Sequence, residues 1–307
     1  MSSDNQKILS AAGFAARNNI VHLQWWSMPL APIYIVILVV LRLRRKTIMF
    51  TIHNIVPHEK SRFDKILTKL VLGFGQQYFV HSQQNARTLC EMFGFKDHQI
   101  VIVPMPVHNM YSEDAIEKNI ARFQVDVPMD RKVLLCFGNI RPYKGIDDLL
   151  RAFRLVLEHE PKAYLLIVGQ VWGSWDCYQS LIVELKLQHD VKAVLEYVPM
   201  SRVKYYFSSA DLVVLPYKKF DAQSGVGNIA LAFGLPLVVT DVGGLPDLVK
   251  DERAIVDPAD YGGLANAIFR ILIDHTLAEK LSNDSKALAK QYSWVAFSQK
   301  TIAAYNK

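Results

Sequence analysis

The sequence is poor in cysteine. Its three cysteines, Cys90, Cys136 and Cys177, lie far apart in a chain of 307 residues and show no metal-ligand spacing. This pattern excludes a disulfide framework, argues against a zinc site built from cysteines, and is typical of a reducing compartment. The first residues also lack the order of charged, apolar and small residues that marks a signal peptide. We therefore expect a cytoplasmic protein.

Long hydrophobic runs are missing too. Residues 31–41 are apolar, but a helix needs roughly 20 apolar residues to cross a bilayer. The run is followed by Arg42, Arg44, Arg45 and Lys46. Two interpretations stay open: a buried helix with a basic end, which we favour for the apolar run, and peripheral contact of the basic end with anionic headgroups at the inner face of the membrane. Nucleic acid is not an expected partner, because no aromatic side chains alternate with these cations.

The common nucleotide-binding fingerprints are absent as well. No GxGxxG follows the first strand, no GxxxxGK[ST] occurs, and there is no Asp-x-Asp pair. The composition, 51% hydrophobic and 21% charged, is that of a globular chain long enough for two domains. The net charge of +6 suits a polyanionic ligand, an anionic membrane or nucleic acid, and does not choose among them.

What the sequence has is a regular alternation of strands and helices. Strands are predicted at 20–26, 47–52, 77–80, 99–103, 132–137, 163–168, 193–198, 211–215, 236–240 and 253–256. Helices are predicted at 61–73, 83–93, 146–158, 176–187, 201–208, 226–233, 244–249, 260–273 and 277–305. This alternation predicts an α/β fold with mostly parallel sheets covered on both faces.

The polar stretch 107–130 separates the two halves of the pattern. We place the boundary near residue 112, between an N-terminal domain of residues 1–112 and a C-terminal domain of residues 113–290. Residues 291–307 are predicted to form a terminal helix that can cross back to the N-terminal domain.

Three stretches of the second half follow strands and suit an anionic ligand. Gly138–Gly145 carries Arg141 and Lys144 between a strand and a helix, Gly169–Gln170 ends the next strand, and 221–228 opens a later helix. Helix starts attract anions through free N–H groups and the helix dipole, and Arg grips phosphate with two hydrogen bonds. The set predicts a diphosphate site. The alternative for the first stretch is an ordinary turn with two solvated cations.

The first half offers fewer candidates. His53 follows the strand 47–52, at the strand tip where α/β proteins place ligand-binding groups, although a strand-end histidine is often only structural. His58 and Glu59 could serve a metal or acid–base chemistry, but no third ligand is evident. Trp25 and Trp26 could stack on a sugar ring, and packing is the favoured interpretation.

These stretches resemble a known family. Gly138–Gly145 is similar to the G-x-x-R-x-x-K-G loop of retaining GT-B glycosyltransferases, family four. Four further stretches agree with that family in order and spacing: Thr51–Asn54, Ala210–Tyr217, Gly225–Pro236 and Asp241–Asp247. The resemblance covers residues 47–305, and it depends on the set rather than on any single motif.

The resemblance implies two Rossmann-like domains facing across a cleft, the N-terminal one shortened. It implies a metal-independent, retaining hexosyltransferase that needs no cofactor and uses a nucleotide-diphospho-sugar such as a UDP- or GDP-hexose. The acceptor would be a glycan or a lipid-linked molecule. The implied catalytic residues are His53, Asp221, Arg141 and Lys144. The implied donor-binding residues are Gly138, Asn139, Arg141, Lys144, Gly169, Gln170, Tyr197, Val198, Gln223, Ser224, Gly225, Val226 and Asn228.

Two departures from the family pattern keep alternatives open. Asp221 replaces the first of two expected glutamates, and Ile229 replaces the second, which would hold the ribose; Asn228 is the nearest polar substitute. The N-terminal half is also short, so it is abridged, a fragment, or completed by a partner subunit or a second copy. The chain could therefore be a catalytically weak nucleotide-sugar-binding subunit, or a non-enzymatic membrane or interaction module using residues 31–46.

Overall fold

The computed structural model describes residues 19–26, 31–53, 55 and 62–306, with the side chains of 62–64 left out. These residues form two compact units. The first unit contains the described residues up to Pro104 and those from Phe297 onward, and the second unit contains Met105–Ala296. The chain leaves the first unit after Pro104 rather than at residue 112, because Val107 is fully buried in the second unit's core.

The first unit contains a four-stranded parallel sheet in the order β1-β2-β3-β4. Its strands are β1 Ile20–Trp25, β2 Thr47–Ile52, β3 Gln77–Val80 and β4 Ile100–Ile102. The helices between them are α1 Ala31–Leu43, α2 Arg62–Leu72 and α3 Gln83–Phe93. The last of these begins where Ser82 accepts a hydrogen bond from the Asn85 N–H and ends at Gly94 in the left-handed conformation.

Side chains alternate across this sheet, so each face has its own core. Ile48 and Phe50 of β2 pack with residues of α1, α2 and α3 on one face. Met49 faces the other way and packs with Ala304 of the chain's last helix, Trp294–Tyr305. The three inter-strand helices thus form one layer, and the chain's last helix covers the opposite face.

The second unit contains six parallel strands in the order β10-β9-β8-β5-β6-β7. They are β5 Lys132–Phe137, β6 Ala163–Val168, β7 Val191–Val194, β8 Leu212–Leu215, β9 Leu237–Thr240 and β10 Ile255–Val256. The helices are α4 Lys118–Gln124, α5 Ile146–His159, α6 Asp176–Glu184, α7 Met200–Ser209, α8 Gly225–Ala232, α9 Tyr261–Ile273 and α10 His275–Gln291. The last helix, α11 Trp294–Tyr305, begins at the end of this unit and belongs to the first unit from Phe297 onward. This is the doubly wound Rossmann order, in which the chain changes direction between β5 and β8. The predicted α/β fold with two parallel sheets is confirmed.

Three local predictions differ from the structure. The strand predicted at 193–198 ends at Val194, and the helix predicted at 244–249 is a single 3₁₀ turn, Pro246–Leu248. The stretch 107–130, predicted as a polar linker, contains α4. The polar composition of this stretch suggested a solvated linker, but its Arg122 is buried. The Arg122 guanidinium pairs with Asp211, with an Nη2–Oδ2 distance of 2.6 Å.

Candidate functional site

The candidate site lies at the carboxyl edge of the second sheet. The loops after β5 and β8 flank the place where the strand order reverses, which is where open α/β sheets bind ligands. The loop after β6 adjoins them, since Ile140 and Val171 form a bridge beyond the ends of the two strands. All three stretches predicted from the sequence as anion-binding follow these three strands.

Glycines let the loops approach each other closely. A Cβ on Gly169, whose φ is 152°, would lie 2.1 Å from the Gly138 carbonyl oxygen. A Cβ on Gly145, whose φ is 67°, would lie 1.9 Å from the Pro216 carbonyl oxygen. No other residue type tolerates these conformations and distances. The loop after β5 is therefore held against the loops after β6 and β8.

Gly138 leaves a small opening at the end of β5. A Cβ there would lie 3.1 Å from Val226 Cγ2 and 3.7 Å from the Nζ atom of Lys144. The start of α8 and the Lys144 ammonium group thus lie beside the same piece of backbone. The absence of a side chain at Gly138 keeps that ammonium approachable from the strand end.

Lys144 is a buried cation. Its Nζ donates a hydrogen bond to the Tyr217 hydroxyl and lies 4.0 Å from the centre of the Tyr217 ring. Burial alone would lower the pKa of Lys144, but the hydrogen bond to Tyr217 and the attraction of the phenol oxygen outweigh burial and raise this pKa above its ordinary value. Lys144 is therefore charged at neutral pH.

Tyr217 also reaches the helix start on the other side of the site. Its hydroxyl lies 3.4 Å from Ser224 Oγ, and Ser224 Oγ caps α8 by accepting from the Gly227 N–H at 3.3 Å. The helix geometry leaves the N–H groups of Gly225 and Val226 without intrahelical partners. One buried phenol, which sequence analysis did not identify, thus joins the lysine of the first loop to the helix of the third.

Arg141 lies at the rim of the site. Its guanidinium carbon is 4.3 Å from the centre of the Trp172 ring, and its Nε atom has no hydrogen-bond partner among the described residues. Stacking on an indole holds a guanidinium in place while leaving its N–H edge available. Trp172 follows the predicted Gly169–Gln170 stretch, but no sequence motif distinguishes it.

The polar side chains around α8 are buried and only partly paired. Gln223 Oε1 accepts from the Met105 N–H at 2.6 Å, whereas Gln223 Nε2 has no partner among the described residues. Asn228 is fully buried, and both atoms of its amide lack partners there too. Ile229 is 8% exposed and packs in the apolar core, so it offers no polar contact to a ligand.

The remaining predicted residues lie on the surface. Asn139, Gln170 and Asp221 are exposed at the ends of the three loops. Because β7 ends early, Tyr197 and Val198 lie beyond the strand; Tyr197 is 70% exposed. Val198 is half-buried and packs against the apolar core that contains Tyr217.

His53 lies in the first unit, directly after β2. Its Nε2 is 2.8 Å from Gln24 Oε1, and its ring stacks on Trp26 at 3.8 Å between centres. Burial, followed by the nearby charge of His81, lowers the pKa of His53 to about 4. The imidazole is therefore neutral near pH 7. Asn54, His58 and Glu59 lie outside the described residues.

His81, at the end of the adjacent strand β3, is the residue of this unit that sequence analysis passed over. Its Nδ1 hydrogen-bonds to the Val103 carbonyl oxygen at 2.8 Å, so this nitrogen carries the proton of the neutral ring. Its buried Nε2 has no partner among the described residues. The signal in the sequence is its position, since both histidines follow neighbouring parallel strands. Trp25, by contrast, is core packing, with 2% exposure.

The described residues contain neither a metal-binding cluster of His, Cys, Asp and Glu nor a membrane-spanning helix. Among them, no group of three or more His, Cys, Asp or Glu side chains could hold a metal ion. None of the helices in the same residues is long and apolar enough to cross a membrane.

Comparison with known sequences gives a family match. The model of the family Glycosyl transferases group 1 matches residues 117–288. An uncharacterized glycosyltransferase of Methanocaldococcus jannaschii is 32% identical over 240 residues, which is 75% of this chain and 59% of that protein. A D-inositol 3-phosphate glycosyltransferase of Corynebacterium aurimucosum is 30% identical over 71% of this chain and 53% of its own length. The chain thus spans between half and three fifths of these two relatives.

Solved structures show the same fold. Anabaena Alr3699/HepE, crystallised with UDP and glucose, superposes with a TM-score of 0.78 at 18% identity, covering 100% of this chain and 83% of that one. The sucrose-phosphate synthase of Thermosynechococcus elongatus gives a TM-score of 0.76 at 22% identity, covering 98% and 77%. At these identities the likeness shows the two-unit Rossmann-like GT-B fold and nothing finer.

Proposed function

Because the chain belongs to the Glycosyl transferases group 1 family, we propose that it moves a hexose from a nucleotide-diphospho-sugar to a glycan or lipid-linked acceptor. The anomeric configuration would be retained, and no metal ion would be needed. Alr3699/HepE, a structural neighbour, has been crystallised with UDP-glucose, which supports a nucleotide-sugar donor such as a UDP- or GDP-hexose.

The observation that carries this proposal is the pairing of Lys144 with the start of α8. The buried ammonium and the Val226 side chain at the start of α8 lie beside the same Gly138, so one diphosphate there would meet both the ammonium and the helix N–H groups. Arg141, held on Trp172, adds a second cation at the rim.

In the reaction, these groups would act on the leaving group. Cleavage of the sugar–phosphate bond places extra negative charge on the departing nucleoside diphosphate. Cations and N–H groups already fixed in place stabilise that charge without reorganising. This role is the one that a divalent metal serves in other transferases, which is why we propose metal-independent catalysis.

The sugar would be recognised by other groups. Neutral His53, whose Nε2 is bonded to Gln24 and whose ring stacks on Trp26, would use its other ring nitrogen to hydrogen-bond a hydroxyl of a sugar substrate. Asp221, exposed at the end of its loop, would contact the donor sugar. Gln223 and Asn228 carry unused amide atoms for the remaining donor hydroxyls, which Ile229 cannot bind.

The test is a screen followed by a reaction. Nucleoside diphosphates and their sugars are compared by thermal shift, since a ligand that binds only the folded state raises its melting temperature. The best donor is then incubated with and without EDTA, and hydrolysis or transfer is followed by mass spectrometry, with the anomeric configuration read by NMR. We expect turnover with retention in both conditions. Binding without any turnover would instead support the nucleotide-sugar-binding subunit that needs a partner.

A further inference from the structure

The outer surface of the first unit carries an unusual apolar stripe. Helix α1 is apolar on nearly all sides, although it has only one buried side, formed by Ala31, Leu38 and Leu41. Its opposite side exposes Ile33, Val36, Val39 and Leu43, which are 41%, 50%, 42% and 79% accessible. The prediction of a simply buried helix is therefore incomplete. A helix that is apolar all round is expected inside a protein or against lipid.

The neighbouring helix continues the stripe. On α2, Ile66 and Leu70 are 67% and 54% exposed and lie one turn apart on its outer side. The two helices contact each other and belong to the same layer over the first sheet. Together, Ile33, Val36, Val39, Leu43, Ile66 and Leu70 form one outward surface, which we call the α1–α2 face.

The third helix of the layer shows that this pattern is not general. The exposed residues of α3 include Gln83, Gln84, Arg87 and Glu91, an ordinary polar outer side. Helix α3 is built into the same layer over the same sheet, so the layer itself does not require apolar residues on its outer surface. The apolar residues of the α1–α2 face therefore call for a separate cause.

Cations surround the apolar residues. The exposed basic residues are Lys65 and Lys69 of α2 and Arg42, Arg44 and Arg45 at the end of α1. Residues 31–46 contain no Asp or Glu, and α2 contains a single one, Asp64, in its first turn. Apolar side chains surrounded by cations match the interface of a bilayer whose headgroups are anionic.

We propose that the α1–α2 face docks the protein on the surface of an anionic lipid bilayer. The apolar side chains enter the boundary between headgroups and acyl chains, and the five cations lie among the headgroup phosphates. This inference rests on the surface of the first unit alone and holds whether or not the second unit transfers sugar. If both hold, the acceptor is reached from the membrane, which favours a lipid-linked one.

The test is co-sedimentation of the whole chain with vesicles. We expect binding to phosphatidylcholine vesicles containing 30% phosphatidylglycerol, little binding to pure phosphatidylcholine, and weakening in high salt. Arg42→Gln with Arg44→Gln should reduce the affinity for anionic vesicles about 10- to 30-fold. Val36→Ser with Leu43→Ser should abolish the binding that survives high salt.

Matched controls separate lipid binding from misfolding. Arg87→Gln on α3 and Val183→Ser on α6 remove an exposed cation and an exposed apolar side chain elsewhere, and both should bind vesicles like the wild type. All variants should keep the wild-type melting temperature and the wild-type thermal shift with nucleotide. Equal binding to neutral and anionic vesicles, or unchanged binding of both face variants, would overturn the proposal. A wild-type dimer that the face variants convert to monomer, without vesicle binding, would make the face a protein interface instead.

Discussion

Replacing Lys144 by methionine should separate diphosphate binding from nucleoside binding. Methionine keeps most of the side-chain length and volume but carries no charge. Lys144 is 7% exposed, and its hydrogen-bond partner is the Tyr217 phenol rather than a carboxylate, so the change leaves no carboxylate unpaired. Tyr217 keeps its contact with Ser224. We therefore expect a folded variant with a melting temperature near that of the wild type.

The size of the effect follows from the interaction removed. A hydrogen bond to a charged group contributes about 1.5–3 kcal/mol, and each 1.4 kcal/mol is a factor of ten in affinity. Because Lys144 already donates to Tyr217 in the free chain, part of that gain is spent on exchanging partners. Affinity for the nucleoside diphosphate should fall about 10- to 100-fold, and affinity for the bare nucleoside should not change.

Isothermal titration of both ligands measures the difference. Lys162→Met is the matched control, since Lys162 is an exposed lysine just before β6, at the opposite edge of the same sheet. Its affinities should equal those of the wild type. Equal losses for nucleoside and diphosphate in the Lys144 variant, or no loss for either, would refute the phosphate role.

Three further predictions concern the glycine opening, the first unit and pH. Gly138→Ala puts a methyl group 3.1 Å from Val226 at a φ of 99°, so it should cost about 1 kcal/mol of stability and weaken diphosphate binding, measured by denaturation and titration. His53→Gln should lower turnover more than donor affinity; an unchanged rate would remove His53 from the site. Burial lowers the pKa of His22 to about 4, and burial together with the charge of His81 lowers the pKa of His53 to about 4. Between a pH of about 6.5, the ordinary histidine pKa, and about 4, only the unfolded chain therefore binds protons at these two residues. Stability should therefore fall as the pH drops through that window, and less steeply in His22→Gln; a melting temperature independent of pH there would contradict the shifts.

The sequence was sufficient for the fold and for the positions of the ligand loops. Buried parallel strands are short apolar runs, and glycines between such runs and helices mark loops, so both are visible along the chain. Gly138–Gly145 and the start of α8 were placed at the sheet's carboxyl edge for this reason, and the structure has them there. Helix α4 was not predicted, because its polar sequence suggested a solvated linker. Its Arg122 is in fact buried and paired with Asp211, which lies far away in the sequence.

Contacts between distant residues could not be predicted in the same way. Sequence analysis placed Lys144 and Ser224 in two separate anion-binding stretches. The structure joins them through Tyr217, a residue that looks like ordinary core when it is read as part of an apolar strand. Trp172 and His81 were missed for the same reason, because their partners lie far away in sequence. Hydrophobic periodicity identifies which side of a helix or strand is buried, but it does not identify which polar atoms on different elements form hydrogen bonds with each other.

The unpaired polar atoms of the second unit give independent support to the site. Among its described residues, the side chains with a buried atom that lacks a hydrogen-bond partner include Arg141, Gln223 and Asn228; Asp148 Oδ2 also makes no hydrogen bond, but it forms an ion pair with Lys218 at 3.4 Å. Arg141, Gln223 and Asn228 all follow β5 or β8, the two strands that flank the switch point. A buried polar atom without a partner costs about 1–3 kcal/mol, so chance would not be expected to gather them at one edge of one sheet. A ligand with many oxygen atoms would offset this cost by pairing with them. The side of the site where Ile229 departs from the family pattern therefore still holds hydrogen-bonding capacity, in Gln223 and Asn228.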